Sequence, residues 1–288
     1  MSKKLTLFWL LSLTALALIF LSANSILAKA ALVNETIDAY SFTFFRISSG
    51  SLTLLTLLYI KQKNITLSKN KNWLSAFMLF VYAIAFSYSY LSLEAGLGTL
   101  LLFGVVQLSM ILIAVFKKES INLQKMVGIT VAFTGLAYLL FPNEEFELSL
   151  FHCFLMSLSG IAWAVYSILG KESKDALFDT TDNFVKATFF VIIFYLLFID
   201  DVLVTKEGVL LAIASGSITS AIGYVIWYYV LPQLKIVTAS IIQLIVPVIA
   251  IFFSVIFLKE QLTYTLILST AIILGGISIA VVKRNTNN

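Results

Sequence analysis

The chain alternates long apolar runs with short polar gaps, and the length of each run is that of a membrane span. Ten runs lie at roughly 5–28, 40–60, 73–93, 97–116, 123–141, 149–170, 184–199, 209–230, 236–257 and 263–282. At a rise of about 1.5 Å per residue, about 20 apolar residues cross a bilayer core. A helix satisfies its own backbone polar groups in lipid, so each run is expected to be a transmembrane helix. The run at 184–199 is short for this purpose. The gaps are brief, which leaves no room for a soluble domain. The expected fold is therefore an all-α integral membrane protein of ten transmembrane helices.

Composition agrees. Of 288 residues, 60% are hydrophobic and 12% charged, against about 45–50% and about 25% in soluble domains. The mean hydropathy of +1.00 excludes an ordinary soluble globule, whose surface would be mostly hydrocarbon. The N-terminus admits a second reading. Lys3-Lys4, an apolar stretch and Ala28-Lys29-Ala30 also fit a cleaved secretory signal. That stretch exceeds the usual signal length of about 7–15 residues, and it has a counterpart later in the chain, so it is kept as the first span. The single Cys153 rules out an intramolecular disulfide.

Charge then gives orientation. With ten spans, Lys3, Lys4, Lys61, Lys63, Lys69, Lys71, Lys117, Lys118, Lys125, Lys171, Lys174, Lys235, Lys283 and Arg284 share the side of the termini. Only Lys29, Lys206 and Lys259 face the other side, while Arg46 and Lys186 fall within spans or at a span edge. The positive-inside rule makes both termini cytoplasmic, in an inner-membrane protein. The net charge of +4 thus reports orientation and points to a lipid bilayer, with no sign of nucleic acid.

The chain also repeats itself. Ser25-Ile-Leu-Ala-Lys29 returns as Ser167-Ile-Leu-Gly-Lys171, 142 positions on. Phe116-Lys-Lys-Glu119 returns as Phe257-Leu-Lys-Glu260, at 141. At that offset Gly135 falls on Gly276, Tyr88 on Tyr229 and Thr99 on Ser240, and at 140 Arg46 falls on Lys186. Residues 1–142 and 148–288 are read as two homologous halves of five spans. Five is odd, so the halves are inverted-topology repeats, a common construction for secondary transporters with a site near the midplane. Such a plan has two related conformations, one open to each side, and implies alternating access.

These residues also carry a family resemblance. Asn24 through Lys29, Arg46, and Glu119 with Gly128 and Gly135 belong to it. So do Gly223-Tyr224, Trp227-Tyr228, Val246-Pro247-Val248, Phe257 through Glu260 and Leu274-Gly275-Gly276. Over nearly its whole length the chain resembles the EamA-type transporters of the drug/metabolite transporter superfamily. The resemblance implies export or exchange of small metabolites, often amino acids. It departs at Val106-Gln107, which stand where the second half has Pro247-Val248.

Polar groups inside spans are the candidates for carrying transport, since each needs a partner or a wet cavity. Asn24, whose repeat mate is Tyr166, and the mid-span amides Gln107 and Gln243 read either as cavity lining or as hydrogen-bonding glue between helices. Arg46 is expected to snorkel, to pair with Glu94 near the same end, or to meet a substrate carboxylate. Lys186 is expected to snorkel from a span end. Glu119 and Glu260, ending spans four and nine, are expected to tether or cap a neighbouring helix, with proton or other ion coupling as the alternative. Tyr82, Phe86 and Tyr90 form a stripe on span three; Tyr224, Trp227 and Tyr228 form another on span eight. With Trp163 and Tyr166 they suit an aromatic-lined substrate site, or else lipid-facing bulk. Pro247 should kink span nine and mark a gate. Ser215-Gly216-Ser217, Gly96, Gly98 and Gly275-Gly276 should allow close helix approach.

No phosphate-binding loop or K+-channel filter is present, and the lone His152 supports neither a metal cluster nor a catalytic dyad, so no cofactor is expected. The leading reading is a secondary transporter of small organic solutes, an exporter of amino acids or related compounds, working as a monomer or homodimer. The alternative is a flippase or intramembrane enzyme acting on a lipid-linked group, for which the sequence supplies few convergent ionisable side chains. A purely structural subunit gains little from a complete two-half plan.

Overall fold

A computed structural model describes residues 5–63, 65, 67–68, 71–118, 123–139, 141, 149–198 and 202–281. One helix stands for each apolar run. They are α1 (Leu7–Val33), α2 (Ala39–Gln62), α3 (Trp73–Ser89), α4 (Ala95–Phe116), α5 (Leu123–Leu139), α6 (Leu150–Gly170), α7 (Ala176–Phe198), α8 (Lys206–Gln233), α9 (Ile236–Leu258) and α10 (Tyr264–Val281). Seven are long and apolar enough to cross a membrane, and α3, α5 and α10 are shorter apolar helices. Polarity runs inside out. Leu7, Phe116 and Leu150 are exposed, while Asn24, Arg46, Asp182 and Gln243 are buried. Such a surface needs lipid around it, and the chain is an all-α, multi-pass membrane protein.

The packing obeys a pseudo-twofold. α3 lies on α6 and α7 of the other half, and α8 lies correspondingly on α1 and α2. α2 packs on its own mate α7, α4 on α9 and α5 on α10. At the last of these contacts, a Cβ on Gly128 or on Gly276 would strike the backbone of the partner helix. Of the pair Gly275-Gly276, only Gly276 makes the close approach expected of both; Gly275 faces open space.

Several boundaries depart from the hydropathy pattern. α7 begins at Ala176, eight residues before the predicted 184, because its first turns hold Thr180, Thr181, Asp182 and Asn183, which are polar yet buried. Lys186 therefore sits deep in the helix. It is 7% exposed and does not snorkel: its ammonium bonds Asp182 at 2.7 Å and the Lys71 carbonyl at 2.6 Å. α9 breaks at Gln243–Leu244, four residues before Pro247. Pro247 has no N–H for the Gln243 carbonyl, which accepts from the Val246 N–H at 3.0 Å instead. α8 widens into π geometry over Ser215–Ile222, and α9 over Ser254–Leu258. Such stretches recur at functional sites.

The two ends differ. Away from the lysine-rich loops, the α1–α2 and α7–α8 connections are stitched together. Asp38 N–H donates to the Leu203 carbonyl at 2.8 Å, Leu203 N–H to the Asp38 carboxylate at 3.0 Å, and Thr205 N–H to the Thr36 carbonyl at 2.9 Å. At the same end Glu260 accepts from the Ala95 and Gly96 N–H groups at 2.6 and 3.0 Å, capping α4 from α9. Glu260→Ala should lower stability by about 1–2 kcal/mol, seen as an earlier thermal melt; an unchanged midpoint would show the cap to be idle. Beside it, burial pushes the Glu94 carboxyl above its ordinary 4.5, the Glu260 carboxylate adds to the rise, and Lys29 opposes it. The folded chain then keeps a proton there that the unfolded chain has released. The resulting stabilisation is complete below the ordinary value and fades as pH rises through the raised one. Glu94→Gln should flatten that slope of melting midpoint as pH rises above the ordinary carboxylate range, and a slope equal to the parent's would contradict the assignment.

The lysine-rich end is open. A cavity of about 520 Å³ lies among α3, α6 and α7, and a second of about 290 Å³ adjoins it. Tyr228 lines both.

Candidate substrate site between the two halves

Arg46 enters the centre from α2 with a fully buried side chain. Its Nε donates to Ser220 Oγ at 3.0 Å; its Nη2 donates to the Tyr82 and Tyr224 hydroxyls at 3.2 and 2.8 Å. The guanidinium lies over the rings of Phe86 and Tyr82, at 4.9 and 5.3 Å from their centroids. Nη1 is buried and has no hydrogen-bond partner. Among the described residues the ion pairs are Lys61–Asp175 and Lys186–Asp182, so no carboxylate there answers Arg46. The expected pairing with Glu94 does not form; Glu94 stands at the start of α4, near Lys29 and Glu260.

An arginine with hydroxyl partners and no counter-ion is costly to bury, because neutral oxygens replace only part of its lost hydration. The surroundings hold it in place. Gly216 lets α8 approach so closely that a Cβ there would strike the Arg46 carbonyl and Ser49 Oγ. One turn on, Asn24 of α1 takes three hydroxyl donors on Oδ1: Ser215 at 2.9 Å, Thr219 at 2.6 Å and Ser220 at 3.0 Å. Its Nδ2 has no partner. The π stretch of α8 thus turns a ladder of hydroxyls toward Asn24 and Arg46.

Aromatic rings close the site. Trp163 packs on Tyr224 and Tyr82 at 4.7 and 4.9 Å between centroids, and on Tyr166 at 5.4 Å. Trp163 Nε1 donates to Gln243 Oε1 at 2.7 Å, which ties the break in α9 to the ring cluster. Tyr166 in turn lies 4.8 Å from Tyr228, which reaches the open cavity. Tyr82 and Tyr224 stand on the mated helices α3 and α8, and the Tyr224 hydroxyl donates to that of Tyr82 at 3.1 Å. The contact joins the two halves at their interface.

The structure therefore brings together Asn24, Arg46, Tyr82, Phe86, Trp163, Tyr166, Tyr224 and Gln243, with Tyr228 at the margin. It does not bring in the rest. Gln107 lines a narrow slot beside α5 and α10. Tyr90 packs on Phe86 but turns its hydroxyl to Thr99 at 3.0 Å, toward the closed end. Trp227 donates to Ser167 Oγ at 3.1 Å and is not among the rings around Arg46. Lys186 belongs to the lysine-rich end, Glu94 and Glu260 to the closed end, and Glu119 lies outside the described residues. Ser215, Thr219, Ser220 and Asn183 were not among the candidates. Thr219 and Ser220 follow Ser215 four and five positions on, a spacing that puts the three hydroxyls on one side of the helix and was a signal for them.

Comparison with known proteins finds relatives along nearly the whole chain. The chain is 38% identical to an uncharacterized protein of Pseudomonas aeruginosa over 274 residues, covering 95% of each. It is 28% identical to an uncharacterized transporter of Archaeoglobus fulgidus over 243 residues, 81% of this chain and 85% of that one. To the uncharacterized transporter YoaV of Bacillus subtilis it is 22% identical over 248 residues, 82% of this chain and 85% of that one. A crystal structure at 16% identity covers 92% of this chain and 96% of its own, with a TM-score of 0.66, and so shares the fold. The model of the EamA-like transporter family matches twice, over residues 8–141 and 150–282. With two matching repeats that span nearly the whole chain, this membrane transporter belongs to the EamA-like transporter family.

Proposed function

We propose that this transporter exports a small carboxylate-bearing metabolite, an amino acid or a related compound, across the inner membrane by alternating access. One observation carries the reading: Arg46 is a buried cation at the interface between the halves, with one amino group unbonded and no carboxylate beside it. A substrate carboxylate would supply the missing charge, and the planar guanidinium suits it. Trp163, Tyr82 and Tyr224 would hold the substrate's apolar part.

The cation distribution supports placing both termini and the open cavity in the cytoplasm, so that export starts from the conformation described here. Movement of one half against the other would close that cavity and part the stitched loops at the far end. The test is counterflow in proteoliposomes preloaded with single unlabelled amino acids, following uptake of the labelled one. Saturable exchange that falls away in Tyr224→Ala supports the reading. Absence of exchange with every amino acid, in folded protein and with or without a pH gradient, would end the amino-acid version of it.

A further inference from the structure

Two tyrosine hydroxyls meet at Arg46, and one of their two protons has nowhere to go. The Tyr82 and Tyr224 oxygens both accept from Arg46 Nη2, at 3.2 and 2.8 Å. Tyr224 gives its proton to Tyr82 at 3.1 Å, and the geometry of that contact allows donation in this direction only. Tyr82 therefore accepts twice. Its own proton has no acceptor, because a guanidinium offers none and its hydroxyl makes no other hydrogen bond among the described residues. Ser220, the third hydroxyl at the guanidinium, does not alter the count. It donates to Asn24 Oδ1 at 3.0 Å and accepts from Arg46 Nε at 3.0 Å. Were Tyr224 to turn its proton to Ser220 instead, that of Tyr82 would still be unmet. Tyr82 is buried, where an unmet polar group is costly enough to need an explanation.

The other unmet donor belongs to the same guanidinium. Nη1 is buried without a partner, and it shares one planar group with Nη2, which stands 3.2 Å from the Tyr82 oxygen. A charged N–H and a neutral O–H are thus neighbours in one site. Two adjacent donors with one positive charge match a group with two acceptor oxygens and one negative charge, which is a carboxylate.

We infer that the Tyr82 and Tyr224 hydroxyls act as one shared donor to the substrate carboxylate, with Arg46 Nη1 binding one of its oxygens and the spare tyrosine proton the other. The inference rests on the carboxylate reading of Arg46 and gives the two hydroxyls a part that the contact of their rings does not. Sharing follows from the arrangement. Without the Tyr224 hydroxyl, Tyr82 keeps its free proton. Without the Tyr82 hydroxyl, Tyr224 loses its acceptor and its own proton becomes free. Only the loss of both removes the donor.

The experiment measures binding of phenylalanine and leucine, each against its primary amide, to purified full-length protein. Quenching of tryptophan fluorescence reads it, since the Trp163 ring lies 4.9 Å from that of Tyr82. The amide keeps the shape of the acid and lacks its charge and one acceptor oxygen. The wild type should prefer the acid. That preference should stay within about twofold of the wild type in Tyr82→Phe and in Tyr224→Phe. In the double variant it should fall at least about tenfold, the scale of a hydrogen bond to a charged group. If the double variant fails to fold, Tyr82→Met with Tyr224→Phe should show the same fall, since a thioether accepts weakly and has no proton. A double variant whose preference falls no further than a single's, or only by the product of the single losses, would overturn the inference and leave Arg46 untouched. No preference for the acid in the wild type would remove the carboxylate reading and this inference with it.

Discussion

Arg46→Met is expected to melt at a higher temperature than the parent and to lose most of its substrate exchange. The guanidinium is buried without a counter-ion, and the effective cost of such burial is several kcal/mol. Its hydroxyl partners offset part of this but do not depend on it. Tyr224 still donates to Tyr82, and Ser220 still donates to Asn24 when the guanidinium is gone. Methionine fills a similar space with no charge to desolvate, so the melting midpoint should rise by about 3 °C or more. Exchange should fall by about a hundredfold or more, the loss of a charge-assisted pair to a carboxylate. Arg46→Lys keeps the charge without the planar fork and should recover only part of the rate. A Met variant that melts lower and still exchanges substrate would make Arg46 a structural tie.

Asp182→Ala should have the largest effect on folding. The Asp182 side chain is fully buried and accepts four bonds: Ser68 N–H at 3.1 Å, Ser68 Oγ at 2.8 Å, Asn72 Nδ2 at 3.0 Å and the Lys186 ammonium at 2.7 Å. It fastens the segment before α3 to α7. Its removal leaves Lys186 as a buried cation whose remaining contacts are the Lys71 carbonyl, Ser68 Oγ and the Trp73 ring at 5.2 Å. Breaking one side of a buried ion pair costs about 3–5 kcal/mol. The second change, Lys186→Met, should restore most of that loss, because it removes the stranded charge. A double-mutant cycle in chemical or thermal unfolding measures the coupling, and additive losses would mean that the two groups act independently.

The contrast between these two cations explains what was legible in the sequence. Hydropathy places nearly every span, since lipid-facing residues such as Phe116, Leu150 and Leu196 are a direct consequence of the solvent. It fails at the start of α7, where Thr180 through Asn183 are buried by contact with the other half and not by lipid. The same failure hid Asn183 and put Lys186 at a span end. Repeat arithmetic pairs α3 with α8 through Tyr88 and Tyr229, but it does not say that Tyr82 and Tyr224 meet. In so aromatic a chain, that contact is visible only in the fold, where their hydroxyls meet. The two amides Gln107 and Gln243 look alike in sequence, but only Gln243 stands at the break that Pro247 forces, and there it reaches Trp163. The π stretch over Ser215–Ile222 has no local signature of its own; it lies where Gly216 permits close approach to Arg46.

Alternating access requires the Arg46 site to be reached in turn from both faces of the membrane. Ser220, which bonds both Arg46 and Asn24, reports on it most directly. In a Cys153→Ser background, which removes the native thiol, Ser220→Cys should react with a membrane-impermeant thiol reagent added to either face. A saturating carboxylate substrate should slow both reactions. Modification from one face alone, at the same rate with or without substrate, would contradict alternating access through this site.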